Sequence, residues 1–153
     1  MAIQYWLMKS EPGDYSIDDL KKDKKTFWDG VRNYSARNLM RDKIKKGDRV
    51  LFYHSNAKPP GVVGIAEVVR ESYPDHTQFD PKSKYHDPKA TQEKPRWFMV
   101  DIKFVEKCKR PVTLPEIRAT SALSEMVLVN RSRLSVQPVK KSEYDLIVKM
   151  SQK

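Results

Sequence analysis

Apolar and polar positions alternate with a period of two in several short blocks of the chain and follow a helical period in a few others. The block 3–9 is aromatic and aliphatic with no breaker before Pro12, which predicts a first strand. Ser16-Ile17-Asp18-Asp19 sets a serine oxygen at the free amides of a first turn and an acid where it can reach back, predicting a short helix through about Leu20. Ala36, Leu39, Met40 and Ile44 fall on or near one helical face, so a second helix is expected over 35–44, ended by the turn Lys46-Gly47-Asp48. The alternating block 48–55 and the aliphatic block 61–72 are joined by Pro59-Pro60-Gly61 and read as adjacent antiparallel strands. Residues 73–95 carry Pro74, Pro81, Pro88 and Pro95 and no hydrophobic period, which predicts a long loop, functional or disordered. A half-alternating block at 96–107 suits a central strand, and a proline in a first helical turn marks a short helix at 113–118. A helical segment at 121–129, a last strand at 133–139 and a closing helix at 142–150 complete the pattern.

About five or six short strands with small helices between them, and no strand-helix alternation, place the chain in the α+β class. The expectation is a curved mixed sheet or small β-barrel with short helices in the connections, not a doubly wound parallel sheet. Neither an internal repeat nor a linker divides the chain, so 1–153 reads as a single domain.

Composition narrows the setting. A chain of 153 residues can bury a core without disulfides or metals, and its single cysteine, Cys108, fits a reducing compartment. No apolar run approaches a membrane span, and the start Met1-Ala2-Ile3-Gln4-Tyr5-Trp6 lacks a basic flank followed by an apolar core, so a soluble, non-secreted protein is expected. Thirty Lys and Arg against 20 Asp and Glu give a net charge of +10 and a pI near 9.6, which favours polyanionic partners. The basic residues gather at Lys21 to Lys25, Arg41 to Lys46 and Lys103 to Arg110, and the first two groups flank one unusual stretch.

That stretch, Phe27-Trp28-Asp29-Gly30-Val31-Arg32-Asn33-Tyr34-Ser35-Ala36-Arg37-Asn38, gathers aromatics, arginines and asparagines around one glycine. Trp28 and Tyr34 offer faces for stacking a base, Asn33 and Asn38 can donate and accept at a base edge, and Arg32 and Arg37 can hold phosphate. The same residues also read as ordinary structure, with Trp28 in the core, Asn33 or Ser35 capping a helix and the arginines solvated. Catalytic or metal chemistry finds little support. His54, His76 and His86 stand in separate segments, no glycine-rich phosphate loop is present, and no serine has a nucleophile-elbow pattern around it. Asp80-Pro81 and Asp87-Pro88, seven residues apart with Tyr85-His86 between, read as turn formers, a metal or general-acid role being the alternative.

Several motifs in order carry a family resemblance. Tyr5-Trp6-Leu7-Met8-Lys9-Ser10-Glu11-Pro12, Trp28-Asp29-Gly30-Val31-Arg32-Asn33-Tyr34 with Ala36-Arg37-Asn38, Phe52-Tyr53-His54-Ser55 and Gly61-Val62-Val63-Gly64-Ile65-Ala66-Glu67-Val68 closely resemble the EVE domain. Asp80-Pro81, Tyr85-His86-Asp87-Pro88, Trp97-Phe98-Met99-Val100 and Arg133-Leu134-Ser135-Val136-Gln137-Pro138 fit it as well, so the resemblance spans nearly the whole chain. It implies a PUA-like fold, kinship with the YTH domain that reads N6-methyladenine in RNA, and binding of a modified base in DNA or RNA. The tryptophan cage of YTH domains is matched at Trp28 alone.

Reading one base requires lifting it from its stack, replacing the lost stacking with an aromatic wall, and satisfying its polar edge. The expected nucleobase pocket comprises Ser10, Trp28, Val31, Asn33, Tyr34, Ser55 and Tyr85, with Trp28 as one wall and Tyr85 as a second. Lys9, Arg32 and Arg37, helped by lysines of the 21–25 group or by Arg41, Lys43 and Lys45, are expected on the phosphate backbone. The expected partner is nucleic acid carrying a modified base, with no membrane, no cofactor, no metal and no catalysis, in the cytoplasm of a bacterium or the nucleus of a eukaryote. A nuclease or base-modifying enzyme and a protein-interaction scaffold are the alternatives.

Overall fold

The computed structural model describes residues 3–131 and 133–153; Met1 and Ala2, part of the start read for a leader, and Ser132 lie outside the described residues. The strands are β1 (Tyr5–Ser10), β2 (Lys25–Phe27), β3 (Arg49–His54), β4 (Gly61–Pro74), β5 (Phe98–Thr113) and β6 (Val136–Val139), and they form one sheet in the order β2-β5-β4-β3-β1-β6. The helices are α1 (Ile17–Asp23), α2 (Tyr34–Asp42), α3 (Leu114–Arg118), α4 (Val127–Asn130) and α5 (Lys141–Ser151), with 3-10 turns at His76–Phe79 and Ser121–Leu123. β1 and β3 are parallel because the chain between them crosses over through α1, β2 and α2; the other neighbours are antiparallel. β2 and β6 remain edges, so the sheet is open and mixed, and of the two expected forms the curved sheet holds and the closed barrel does not.

Both faces of the sheet are buried. Met8 pairs with Phe52 and Leu7 with Leu51, so alternate residues of β1 and β3 enter opposite cores. One core joins Trp6, Met8, Val50 and Phe52 to Ile17 and Leu20 of α1, Met40 of α2 and Trp28. The other joins Leu7, Leu51 and Tyr53 to Ile117, Leu128, Ile147 and Met150 beneath α3, α4 and α5. Because both faces are buried, the alternation expected at 48–55 is replaced in β3 by a nearly continuous buried run. On the first face α1 lies close against β4. A Cβ at Gly64 would stand 2.3 Å from Ile17 Cδ1, so only glycine allows that approach. Asp48, buried in the turn before β3, accepts hydrogen bonds from Gln4 N, Trp6 Nε1 and Lys45 N and fixes the start of β1.

Four elements depart from expectation. β2 is a three-residue edge strand leading into the stretch read for chemistry, which it shares only at Phe27, and is too short to show a period. β4 and β5 run on to Pro74 and Thr113, past the ends expected from apolar positions, along a ladder with several register shifts. The helix expected at 121–129 is a 3-10 turn followed by α4. The segment between β4 and β5 is held by side chains bonded to backbone. Buried Gln78 donates to the carbonyls of Asp75 and Trp97 and accepts from the amides of Arg96 and Trp97. Asp80 and Asp87 each accept from the amide two residues on, the turn-forming role of such residues before proline. Among the described residues no helix is long and apolar enough to cross a membrane.

Candidate nucleic-acid interface

A cleft of about 910 Å³ opens where the ends of β1 and β3 meet the segment running from β2 into α2, closed on one side by the turn that carries Tyr85. Its volume lies within the roughly 300–1,000 Å³ of small-molecule sites.

Trp28 continues the β2–β5 pairing, its amide donating to Val100 O at 2.7 Å. Its indole is only 8% exposed and meets Phe52 edge to face, ring centroids 5.4 Å apart, and it also lines the cleft. The core reading and the wall reading of Trp28 therefore describe two sides of one residue. Phe27, beside it, is exposed and sets its ring against His76 at 5.0 Å, adding a second aromatic surface to the cleft.

Two residues on, Gly30 adopts φ +78° and donates its amide to Asp75 Oδ2 at 2.8 Å. A Cβ there would stand 2.6 Å from Tyr85 Cζ, so the Tyr85 ring packs against the bare glycine. Arg32 secures that arrangement. Its Nε and Nη2 donate to Tyr85 O at 3.1 and 2.8 Å, Nη2 also to Thr77 Oγ1, and Nη1 to Val31 O and Asp75 Oδ2. A guanidinium carries five N–H donors, and protein acceptors take them all. The expected phosphate role of Arg32 is corrected: it lines the cleft as a clamp for the Tyr85 turn.

The remaining expected residues separate into those the fold brings together and those it does not. Ser10 and Ser55 come side by side, Ser55 N donating to Ser10 O at 3.0 Å, and both line the cleft. The Ser10 hydroxyl donates to Tyr15 O at 2.7 Å, which leaves its oxygen to accept. Asn33 caps α2, its Oδ1 accepting from Ala36 N at 3.0 Å, while the residue also lines the cleft, and its amide nitrogen keeps both donors for a ligand. Val31 and Lys9 line the cleft, and partial burial pulls the Lys9 ammonium below its ordinary pKa. Tyr34 and Arg37 do not line it, which corrects their assignment. Tyr34 stacks on Trp97 at 4.8 Å, and Arg37 lies 4.8 Å from the Tyr34 ring centroid and donates to Arg96 O. The 21–25 lysines and Arg41, Lys43 and Lys45 do not border the cleft either. Lys84 and Arg133 do, the first with its ammonium 5.1 Å from the Tyr85 ring centroid.

Acidic groups complete the site. Asp75 is wholly buried; burial alone would raise its pKa, but hydrogen bonds from Thr77, Gly30 and Arg32 outweigh that and hold it below the ordinary carboxylate value. Asp29, half-buried in the cleft, shifts the other way, pushed up first by burial and then by the neighbouring Asp75 charge. Sequence pattern gave no sign of Asp75, whose partners in the Trp28 stretch, Arg32 and Gly30, lie 43 and 45 residues away. Arg133 opens a motif that carried the resemblance and Lys84 directly precedes another, but neither was singled out. Among the described residues no group of three or more His, Cys, Asp or Glu side chains is placed to hold a metal ion.

Residues 4–150 match the EVE domain. Thymocyte nuclear protein 1 of Homo sapiens is 44% identical over 168 residues, covering 97% of this chain and 74% of that protein. A solved structure of the human THYN1 protein in complex with 5-methylcytosine-containing DNA superposes with a TM-score of 0.92 at 41% identity, covering 98% of each chain. A structure of a hypothetical protein from Leishmania major superposes with a TM-score of 0.94 at 56% identity over 98% of this chain and 95% of the other. Motifs, matched length and shared architecture agree, and the chain belongs to the EVE domain family.

Proposed function

We propose that this protein is a nucleic-acid-binding module that takes a modified base, extruded from its strand, into the Trp28 cleft, and that DNA carrying a modified cytosine is its ligand. The observation that carries this reading is the human relative's complex with 5-methylcytosine-containing DNA, on a fold shared over nearly the whole chain. The cleft supplies what such a ligand needs. Trp28, Phe27 and Tyr85 offer aromatic surface, worth about 1–3 kcal/mol per stacked base. Ser10, Asn33, Ser55 and Asp29 line the same cleft with polar groups for the base edge. Lys9, Lys84 and Arg133 bring positive charge to it for the flanking phosphates. Asn33 and Arg133 also border a second depression of about 320 Å³, which offers the strand a continuing path.

Binding without catalysis fits the polar groups present: the Ser10 hydroxyl donates to a backbone carbonyl, not to a base that could activate it. The name of the vertebrate relatives, thymocyte nuclear protein, accords with action on DNA in a nucleus. The test is fluorescence anisotropy with oligonucleotides identical except for one cytosine or 5-methylcytosine, as single strands and duplexes. Tighter binding of the methylated strand is expected. A methyl group adds only about 0.8 kcal/mol by burial, so a preference of about fourfold is the least the reading requires. Equal affinity for both strands would refute it.

A further inference from the structure

We propose that Asp29 reads the Watson–Crick edge of the extruded base, binding the exocyclic amino group and the adjacent ring nitrogen of a cytosine-type base. This rests on the base-reading function above.

Most polar side chains of the cleft are already engaged. Arg32 has given all its donors to protein, Ser10 its hydroxyl proton to Tyr15 O, and Asn33 its carbonyl oxygen to Ala36 N. Asp29 differs: among the described residues no other residue donates a hydrogen bond to its carboxylate, although the side chain is half-buried and lines the cleft. Its position is nevertheless fixed. The amide before it, of Trp28, is bonded to Val100 O at 2.7 Å, and the amide after it, of Gly30, to Asp75 Oδ2 at 2.8 Å. A carboxyl held rigidly next to an aromatic wall, with its oxygens unspent, matches the need of an unstacked base for edge partners.

Cytosine presents an amino donor at N4 beside an acceptor at N3. A carboxylate accepts from N4 but turns a second lone pair toward N3. A neutral carboxyl satisfies both, its carbonyl oxygen accepting from N4–H and its O–H donating to N3. The surroundings ease protonation, since burial and the Asp75 charge raise the Asp29 pKa, opposed more weakly by its own amide and by the charges of His76 and Arg32. The cleft charges Lys9, Lys84, Arg133, Glu11 and Asp14 face the same space. Binding therefore takes up a proton from water onto Asp29. Affinity falls as pH rises above the pKa of Asp29 in the free protein, by up to about tenfold per pH unit.

The experiment measures affinity of the full chain, as wild type, Asp29→Ala and Asp29→Asn, for a single strand bearing one 5-methylcytosine and for the same strand with an abasic site there, between about pH 5 and pH 8. Asp29→Ala is expected to weaken the methylated strand by about tenfold to a hundredfold while leaving the abasic strand unchanged. Asparagine can donate to N3 and accept from N4 without a proton, so Asp29→Asn should keep the affinity and lose the pH slope. An Asp29→Ala protein that binds the methylated strand like wild type, or an Asp29→Asn protein with the full wild-type slope, overturns the assignment while the base-reading function stands. A wild type that prefers the abasic strand, or treats both alike, overturns that function and this assignment with it.

Discussion

The indole of Trp28 is shared between the core and the cleft, and substitution there touches both. Removing a ring that packs edge to face on Phe52 costs about 3–5 kcal/mol, a large part of the 5–15 kcal/mol that holds a typical domain together. Trp28→Ala is thus expected to be strongly destabilised as well as unable to prefer a modified base. Trp28→Phe keeps an aromatic against Phe52 and should lose far less stability while weakening the base. Urea denaturation and oligonucleotide binding on the two variants check this; a Trp28→Ala protein as stable as wild type would place the indole outside the core. The chemical type of this residue, and of Ser10, Asn33 and Ser55, was legible in the sequence. What it could not show is that one side chain does two things: Asn33 caps α2 with its oxygen and keeps its amide nitrogen for a ligand.

At the scale of elements, the segment between β4 and β5 is the part that sequence read least well. It has no period because its order comes from Gln78 and from Asp75, Asp80 and Asp87 bonding to backbone, and hydropathy does not register such bonds. β2 escaped notice for a related reason: three residues at a sheet edge carry too little pattern. By contrast β1, β3, α2 and α5 were legible because each presents a regular apolar face to a core. The Asp75–Arg32 pair, at 3.1 Å, ties this segment to the Trp28 wall. Because the folded Asp75 pKa is depressed, its stabilisation is present above the unfolded carboxylate value of about 3.9 and lost as pH falls through the lower folded value. Asp75→Asn should cost about 3–5 kcal/mol near neutral pH and progressively less in acid below about pH 4. Denaturant midpoints across that range decide it; a penalty independent of pH would mean that the charge of Asp75 is not what holds the turn.

For the molecule as a whole, the surplus of ten positive charges draws it toward any polyanion, but only part of the surplus adjoins the cleft. Lys84 and Arg133 adjoin it, whereas Lys21 and Lys22 lie on α1 and do not line it. Lys84→Gln with Arg133→Gln should weaken modified and unmodified strands alike and reduce the slope of log affinity against log salt by about one to two. Lys21→Gln with Lys22→Gln should lower that slope less. Equal effects from the two pairs would show that the protein's general field, and not the cleft rim, holds the phosphates.

The cleft is assembled from five separated parts of the chain: residues 9–15, 26–33, 55, 84–85 and 133–135. No fragment shorter than residues 9–135 contains it, and its last contributors stand just before the strand that completes the sheet beside β1. A growing polypeptide therefore has no site to offer until nearly all of it has been made and folded. Once formed, the site couples occupancy to integrity: a ligand at a hundred times its dissociation constant would add about 2.7 kcal/mol against unfolding. Loosening any of the five segments would be felt as weaker binding, even where the altered residue never meets the nucleic acid.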